Sequence, residues 1–114
     1  MIKHYPEIIS VEKYSAKEVT LKFMVLPEYE GFQGHFVEQP IFPGVGQIDL
    51  VIKSSCEQFQ LDPYQFCDIP QIKFMKIILP NDCLALNLIQ ENNAISFKFY
   101  IKEQIVSQGK IKYV

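Results

Sequence analysis

Arginine is absent from this chain; all eleven basic residues are lysines. Sequence-specific DNA readers lean on bidentate arginine contacts to guanine, and no basic stripe takes their place here, so a nucleic-acid partner is not expected. Long apolar runs are also missing. Nothing approaches the roughly 18 residues of a membrane span, and the opening Met1-Ile2-Lys3-His4-Tyr5-Pro6-Glu7 lacks the apolar core of a signal peptide. Cysteine is sparse and odd in number. Cys56, Cys67 and Cys83 are far apart and form no CxxC pair, which fits free thiols in a reducing cytoplasm. With His4 and His35 as the only histidines, the chain brings together too few ligands for a zinc site, and no metal or other cofactor is expected. Repeats, low-complexity tracts and linkers are lacking as well.

What remains is a 114-residue chain with 48% hydrophobic residues and a formal net charge of −2. Those values predict one globular domain over residues 1–114. A core of that size is feasible but small, so association with a second copy is expected to help it.

The periodicities give the elements. Ile8, Ile9 and Val11 mark a short strand over 7–13. Val19, Leu21, Phe23 and Val25 alternate with Thr20, Lys22 and Met24, a period of two. Three prolines with Gly31 and Gly34 make 27–43 a structured loop. From Val45 to Phe59 the spacing predicts a helix, with Val45, Ile48, Ile52, Cys56 and Phe59 on one stripe and Leu50 and Val51 apolar off it. Such a helix is expected to be buried nearly all round. Residues 58–69 read as a loop, and 71–79, 83–90, 94–102 and 105–114 as strands. Glu91-Asn92-Asn93 and Lys102-Glu103-Gln104 join them as short hairpin connections. One apolar helix and about six strands with one apolar face each predict an α+β domain, a curled antiparallel sheet wrapped around the helix.

The segment Gly34-His35-Phe36-Val37-Glu38-Gln39-Pro40-Ile41-Phe42-Pro43-Gly44-Val45-Gly46-Gln47-Ile48-Asp49 carries most of the functional information. It sets a histidine in a turn-prone stretch. A Pro-Gly then opens an apolar helix that contains an aspartate. A carboxylate on an apolar stripe is costly unless it is paired or its protonation is shifted, and so it is a candidate functional group.

The pattern Gly34-His35-Phe36, Pro40-Ile41, Pro43-Gly44-Val45 and Gln47-Ile48-Asp49 resembles the signature of the 3-hydroxyacyl-(acyl carrier protein) dehydratases of fatty-acid synthesis. Tyr5-Pro6 and the stretch from Ile72 to Leu84 extend the likeness over nearly the whole chain. The resemblance implies the hotdog fold, a long sheet wrapped around a helix. It implies His35 as catalytic histidine, Asp49 as catalytic acid and Gly44 as the glycine whose N–H polarises the thioester carbonyl. Phe36, Pro43 and Val45 support the motif and the substrate tunnel. It further implies a homodimer, or a larger assembly, in which the histidine and the acid of one site come from different subunits. The implied partner is an acyl carrier protein bearing a phosphopantetheine-linked acyl chain, with Lys73 and Lys76 as candidate docking residues.

Elementary chemistry agrees with those roles. Dehydration of a 3-hydroxyacyl thioester needs a base near C2, an acid near the C3 hydroxyl and donors for the enolate oxygen. A neutral imidazole, a carboxyl in an apolar setting and the N–H groups of a helix N-terminus suit these tasks. Two residues depart from the family pattern. Val37 replaces the proline that commonly follows His-Phe, and Lys53 stands where the family often has Gln. An i, i+4 Asp49–Lys53 pair would favour the ionised carboxylate. These departures and the short chain fit a divergent branch of the polyketide or polyene type. Two other functions remain open: a hotdog acyl thioesterase in which Asp49 activates water or attacks the thioester, and a non-catalytic acyl-binding protein.

Overall fold

A computed structural model of the chain describes residues 7–25, 42 and 44–114. Among them, strands β1 (Glu7–Ser15) and β2 (Glu18–Met24) precede helix α1 (Gly44–Phe59). A one-turn 3-10 helix (Pro63–Gln65) follows, then β3 (Phe66–Phe74), β4 (Cys83–Glu91), β5 (Ala94–Ile101) and β6 (Gln104–Tyr113). The six strands form one sheet in the order β1-β2-β4-β5-β6-β3, and every pairing is antiparallel. The sheet curls around α1, as the hotdog fold requires.

The register explains the core. Leu21 of β2 lies opposite Leu86 of β4, and Leu86 lies opposite Phe99 of β5. A two-residue side-chain period then puts Val19, Leu21, Phe23, Leu84, Leu86, Leu88, Phe97 and Phe99 on the inner face, where each is at most 2% exposed. Leu50 and Val51 of α1 complete the same cluster. The β4–β5 hairpin turns on Asn92 and Asn93, with φ of 51° and 58°, the left-handed pair that a type I′ turn demands. At the helix C-terminus Gln60 takes φ 56°, and the Leu61 N–H donates to the Cys56 carbonyl at 3.2 Å, closing the last turn.

Three expectations need correction. The strand expected over 71–79 runs instead over Phe66–Phe74, so the expected 58–69 loop holds the end of α1, the 3-10 turn and the first part of β3. Pro70 concealed this strand. Among the described residues β3 is an edge strand paired only with β6, and its register shifts between Asp68 and Gln71, so a residue without an N–H is tolerated there. Beyond Phe74 the chain leaves the ladder. The N–H groups of Met75 and Lys76 both donate to the Val106 carbonyl, at 2.9 and 3.0 Å.

Second, α1 is not buried all round. The side facing the sheet is Gln47, Leu50, Val51, Ser54 and Ser55, while Val45 is 80% exposed. The apolar stripe read from the sequence lies to one side of that buried face, because two serines and a glutamine occupy positions that hydropathy assigns to solvent. Third, Ile8, Ile9 and Val11 of the edge strand β1 are exposed rather than half-buried.

Candidate active site

The site is built on the first two turns of α1. Phe42 is held from both sides: its N–H donates to the Ile78 carbonyl at 2.8 Å, and its carbonyl accepts from Gln47 Nε2 at 3.2 Å. Gln47 is 3% exposed, and its Oε1 accepts from Ser107 Oγ at 2.6 Å. A buried chain of hydrogen bonds therefore runs from Ser107 of β6 through Gln47 of α1 to Phe42, two residues before the helix start at Gly44. Buried polar groups must be paired in this way, and a fully paired set fixes geometry.

Gly44 begins the helix, and Phe74 at the end of β3 lies against it. A Cβ at Gly44 would sit 2.6 Å from the Phe74 Cζ, so the ring approaches the helix start as closely as it does because the residue is glycine. The first turn of α1 holds no acidic residue, which leaves the positive end of the helix dipole without an internal counter-charge.

Asp49 lies one turn after Val45, on the side of α1 away from the sheet. Its Oδ2 is 2.9 Å from Lys53 Nζ, one further turn along, with the lysine and aspartate side chains 34% and 49% exposed. The i, i+4 pair that the sequence left open is formed, and Asp49 is half-exposed and ion-paired rather than sunk in an apolar stripe. Val45, Asp49 and Lys53 make a row along the uncovered face. Beside it, Ile52 and the β3 and β6 residues Phe66, Ile69 and Ile111 line an open groove of about 450 Å³.

Of the other candidate residues, His35, Phe36 and Pro43 lie outside the described residues. Lys73 and Lys76 are exposed, Lys73 on β3 and Lys76 just beyond it. Among the described residues no three His, Cys, Asp or Glu side chains come together to hold a metal ion. Burial pushes the Cys56 thiol upward from its ordinary value, and the negative charges of Asp62 and Glu57 add to that. Gln47 and Ser107, whose buried bonds hold Phe42 to the helix, are not singled out by the sequence. The available signal was positional: Gln47 lies three residues before Leu50, on the face turned to the sheet, and Ser107 lies opposite the core residue Phe99.

The family profile described as "ApeI-like: ApeI dehydratase" matches residues 11–110. Among solved structures, the dehydratase heterocomplex ApeI:P from Xenorhabdus doucetiae is similar with a TM-score of 0.82 and 31% identity, over 94% of this chain and 96% of that one. Among curated proteins, the 3-hydroxyacyl-[acyl-carrier-protein] dehydratase FabZ of Buchnera aphidicola subsp. Schizaphis graminum is 34% identical over 80 residues, 60% of this chain. The match spans about half of that relative's length, 53%. FabZ of Syntrophobacter fumaroxidans is 28% identical over 117 residues, covering 92% of this chain and 76% of that protein.

Proposed function

The chain belongs to the ApeI-like dehydratase family, and from that premise we propose that it removes water from 3-hydroxyacyl thioesters held on an acyl carrier protein, giving trans-2-enoyl thioesters in a fatty-acid-like or polyene-type synthesis. The observation that carries this reading is the row Val45–Asp49–Lys53. It puts a carboxylate and an ammonium 2.9 Å apart on the uncovered side of α1, within two turns of a helix start that has no acid of its own.

In this reading His35 takes the C2 proton as a neutral imidazole. The enolate oxygen is met by the Gly44 N–H, aided by the helix dipole. The acid side of the site, centred on Asp49, supplies the proton on which the C3 hydroxyl leaves as water. Phe36, Pro43 and Val45 support the turn and the mouth of the acyl tunnel, and Lys73 and Lys76 offer positive charge to an acidic carrier. No cofactor takes part.

The active form is a dimer. Two uncovered surfaces support this. Among the described residues β3 has no partner on one side of its ladder, and it carries exposed Ile69, Ile72 and Phe74. The adjoining side of α1 exposes Val45. An exposed apolar edge of this kind invites pairing. A second copy of the chain is the partner we propose. The similar Xenorhabdus protein comes from a heterocomplex, so light scattering on the purified chain is the discriminating measurement: a stable monomer would count against the homodimer. No helix of the described residues is long and apolar enough to cross a membrane, and three free cysteines suit the cytoplasm.

The ion pair also gives the thioesterase reading a specific footing, because a paired carboxylate is well suited to activating water. Incubation with a 3-hydroxyacyl thioester, followed by separation of enoyl product from free acid, decides between the two. Enoyl product lost in His35→Ala and Asp49→Asn supports the dehydratase. Free acid as the main product replaces it with the thioesterase, and turnover of neither kind leaves an acyl-binding protein.

A further inference from the structure

The chain is net acidic, yet one face of its sheet is basic. Strands β5 and β6 carry three lysines and no acidic residue. The register sets them in rows across the sheet. Lys98 of β5 stands opposite Gln108 of β6, and Gln108 stands opposite Lys73 of β3. Two residues along, Ser96, Lys110 and Gln71 form a second row on the same face. Phe97, between the rows, is buried on the inner face. The six outward residues line an open groove of about 640 Å³. Lys73, Lys98 and Lys110 are exposed, and among the described residues no carboxylate pairs with any of them. Asp68, the one acidic residue of β3, stands opposite Lys112 instead, and its Oδ1 accepts from the Ile69 N–H at 2.9 Å.

The spacing of these charges indicates their partner. Lys98 and Lys73 are two strands apart, roughly 10 Å, with Gln108 between them. Like charges so placed repel one another, and an anionic partner relieves that repulsion. A single phosphate would gather only part of such a spread set. Acidic side chains along one helix face recur every three or four residues, and two turns span about 11 Å. An acidic helix therefore lays a row of carboxylates across the row of lysines. Single-stranded nucleic acid would use aromatic platforms among the charges, and the outward positions of this groove hold none.

The groove is also joined to the candidate active site. Phe74 stands opposite the buried Ser107 and lies against Gly44 at the start of α1. Lys73, one residue earlier, faces the other way and lines the groove. A protein seated on the lysines thus stands one strand's thickness from the helix start, beside the strand end around which a tethered chain can turn.

We propose that this outer groove is the docking surface for an acidic carrier protein, with Lys73, Lys98 and Lys110 meeting carboxylates on one of its helices. The identity of the carrier rests on the dehydratase reading; the groove itself requires only an acidic helical face.

The test compares the wild type with Lys98→Glu/Lys110→Glu and with the charge-preserving Lys98→Arg/Lys110→Arg. Both positions are exposed and lie off the β3 edge. Binding of a holo acyl carrier protein is followed by fluorescence anisotropy at low and high salt. Dehydration is followed on one 3-hydroxyacyl chain presented in two ways, on the carrier and on a short pantetheine thiol. Wild-type binding is expected to weaken with salt. The glutamate variant is expected to bind the carrier about tenfold more weakly. Its kcat/KM should fall by a similar factor, through KM, on the carrier-borne substrate alone, while the arginine variant keeps both properties. Unchanged carrier binding in the glutamate variant overturns the proposal. So does an equal loss on both substrates, which marks a structural role. Tighter binding of a single-stranded DNA oligomer than of the carrier also overturns it and gives the groove to nucleic acid. The dehydratase reading fails separately. A wild type that dehydrates neither substrate, yet binds the carrier through these lysines, supports the docking surface and removes the dehydratase. Turnover of both substrates with carrier binding untouched by the glutamates does the reverse.

Discussion

Replacing Gln47 by Leu tests whether the buried hydrogen-bond chain holds the start of α1. Leucine is close to glutamine in size and apolar, so the change removes two hydrogen bonds with little change in volume. It strands the Ser107 hydroxyl, which is fully buried, and removes the bond from Gln47 Nε2 to the Phe42 carbonyl at 3.2 Å. A stranded buried polar group costs about 1–3 kcal/mol, so the change is expected to cost about 2–4 kcal/mol once the extra apolar burial offsets part of it. Ser107→Ala alone strands Gln47 Oε1 and is expected to cost about 1–3 kcal/mol. The double variant Gln47→Leu/Ser107→Ala removes both members of the Gln47–Ser107 pair, so neither strands the other. It should therefore be less destabilised than the sum of the two singles, by about 1–3 kcal/mol. Urea unfolding of all four proteins, at one protein concentration and with unchanged slope, measures the cycle. Additivity within about 0.5 kcal/mol would mean that the two side chains do not act together, and the argument for a preset helix start would fall.

Three further outcomes are expected. Gly44→Ala forces the Phe74 ring aside, since the new Cβ would stand 2.6 Å from it; kcat is expected to fall while unfolding shifts only modestly, and adding Phe74→Leu should recover part of the loss, as steady-state kinetics on both variants will show. Phe99→Ala empties a fully buried position opposite Leu86 and Ser107 and is expected to cost about 3–5 kcal/mol in urea unfolding. The Cys56 thiol, raised by burial, holds less thiolate at any given pH than an ordinary cysteine, so mass-spectrometric alkylation at neutral pH should modify the exposed Cys67 and Cys83 before Cys56.

Much of the fold was legible because local patterns and the sheet agree. β2, β4 and β5 each bury alternate residues, and that period of two is visible in the sequence with no knowledge of neighbours. Asn92-Asn93 declared its turn for the same reason: both residues tolerate the left-handed backbone that the hairpin imposes. β3 did not declare itself. It is mostly exposed on both faces and contains Pro70, so neither alternation nor propensity marks it. What makes Phe66–Phe74 a strand is pairing with β6, a partner some forty residues away in sequence. Local periodicity does not encode such a contact.

The site divides along the same line. Gly44 and Asp49 stand close in sequence on one helix, so the motif alone makes them candidates, and the structure forms the Asp49–Lys53 pair that the sequence left open. Gln47 and Ser107 were not legible, because their significance comes from a contact between elements sixty residues apart. The misjudged burial of α1 has a different origin. Hydropathy counts the surface a residue needs to hide, whichever chain hides it. Val45 and the apolar edge of β3 remain uncovered in a single copy, although their residue types are those of an interior. Read this way, the excess of apolar character over burial on α1 and β3 is itself information. In the proposed dimer this is the surface that a second subunit would cover, next to the row that carries Asp49 and Lys53. A substitution that makes this surface polar, such as Ile72→Lys on β3, should therefore split the dimer and remove activity together while leaving the core of the sheet intact. Size-exclusion chromatography and the enoyl-product assay on the same sample test that coupling, and an active monomer would refute it.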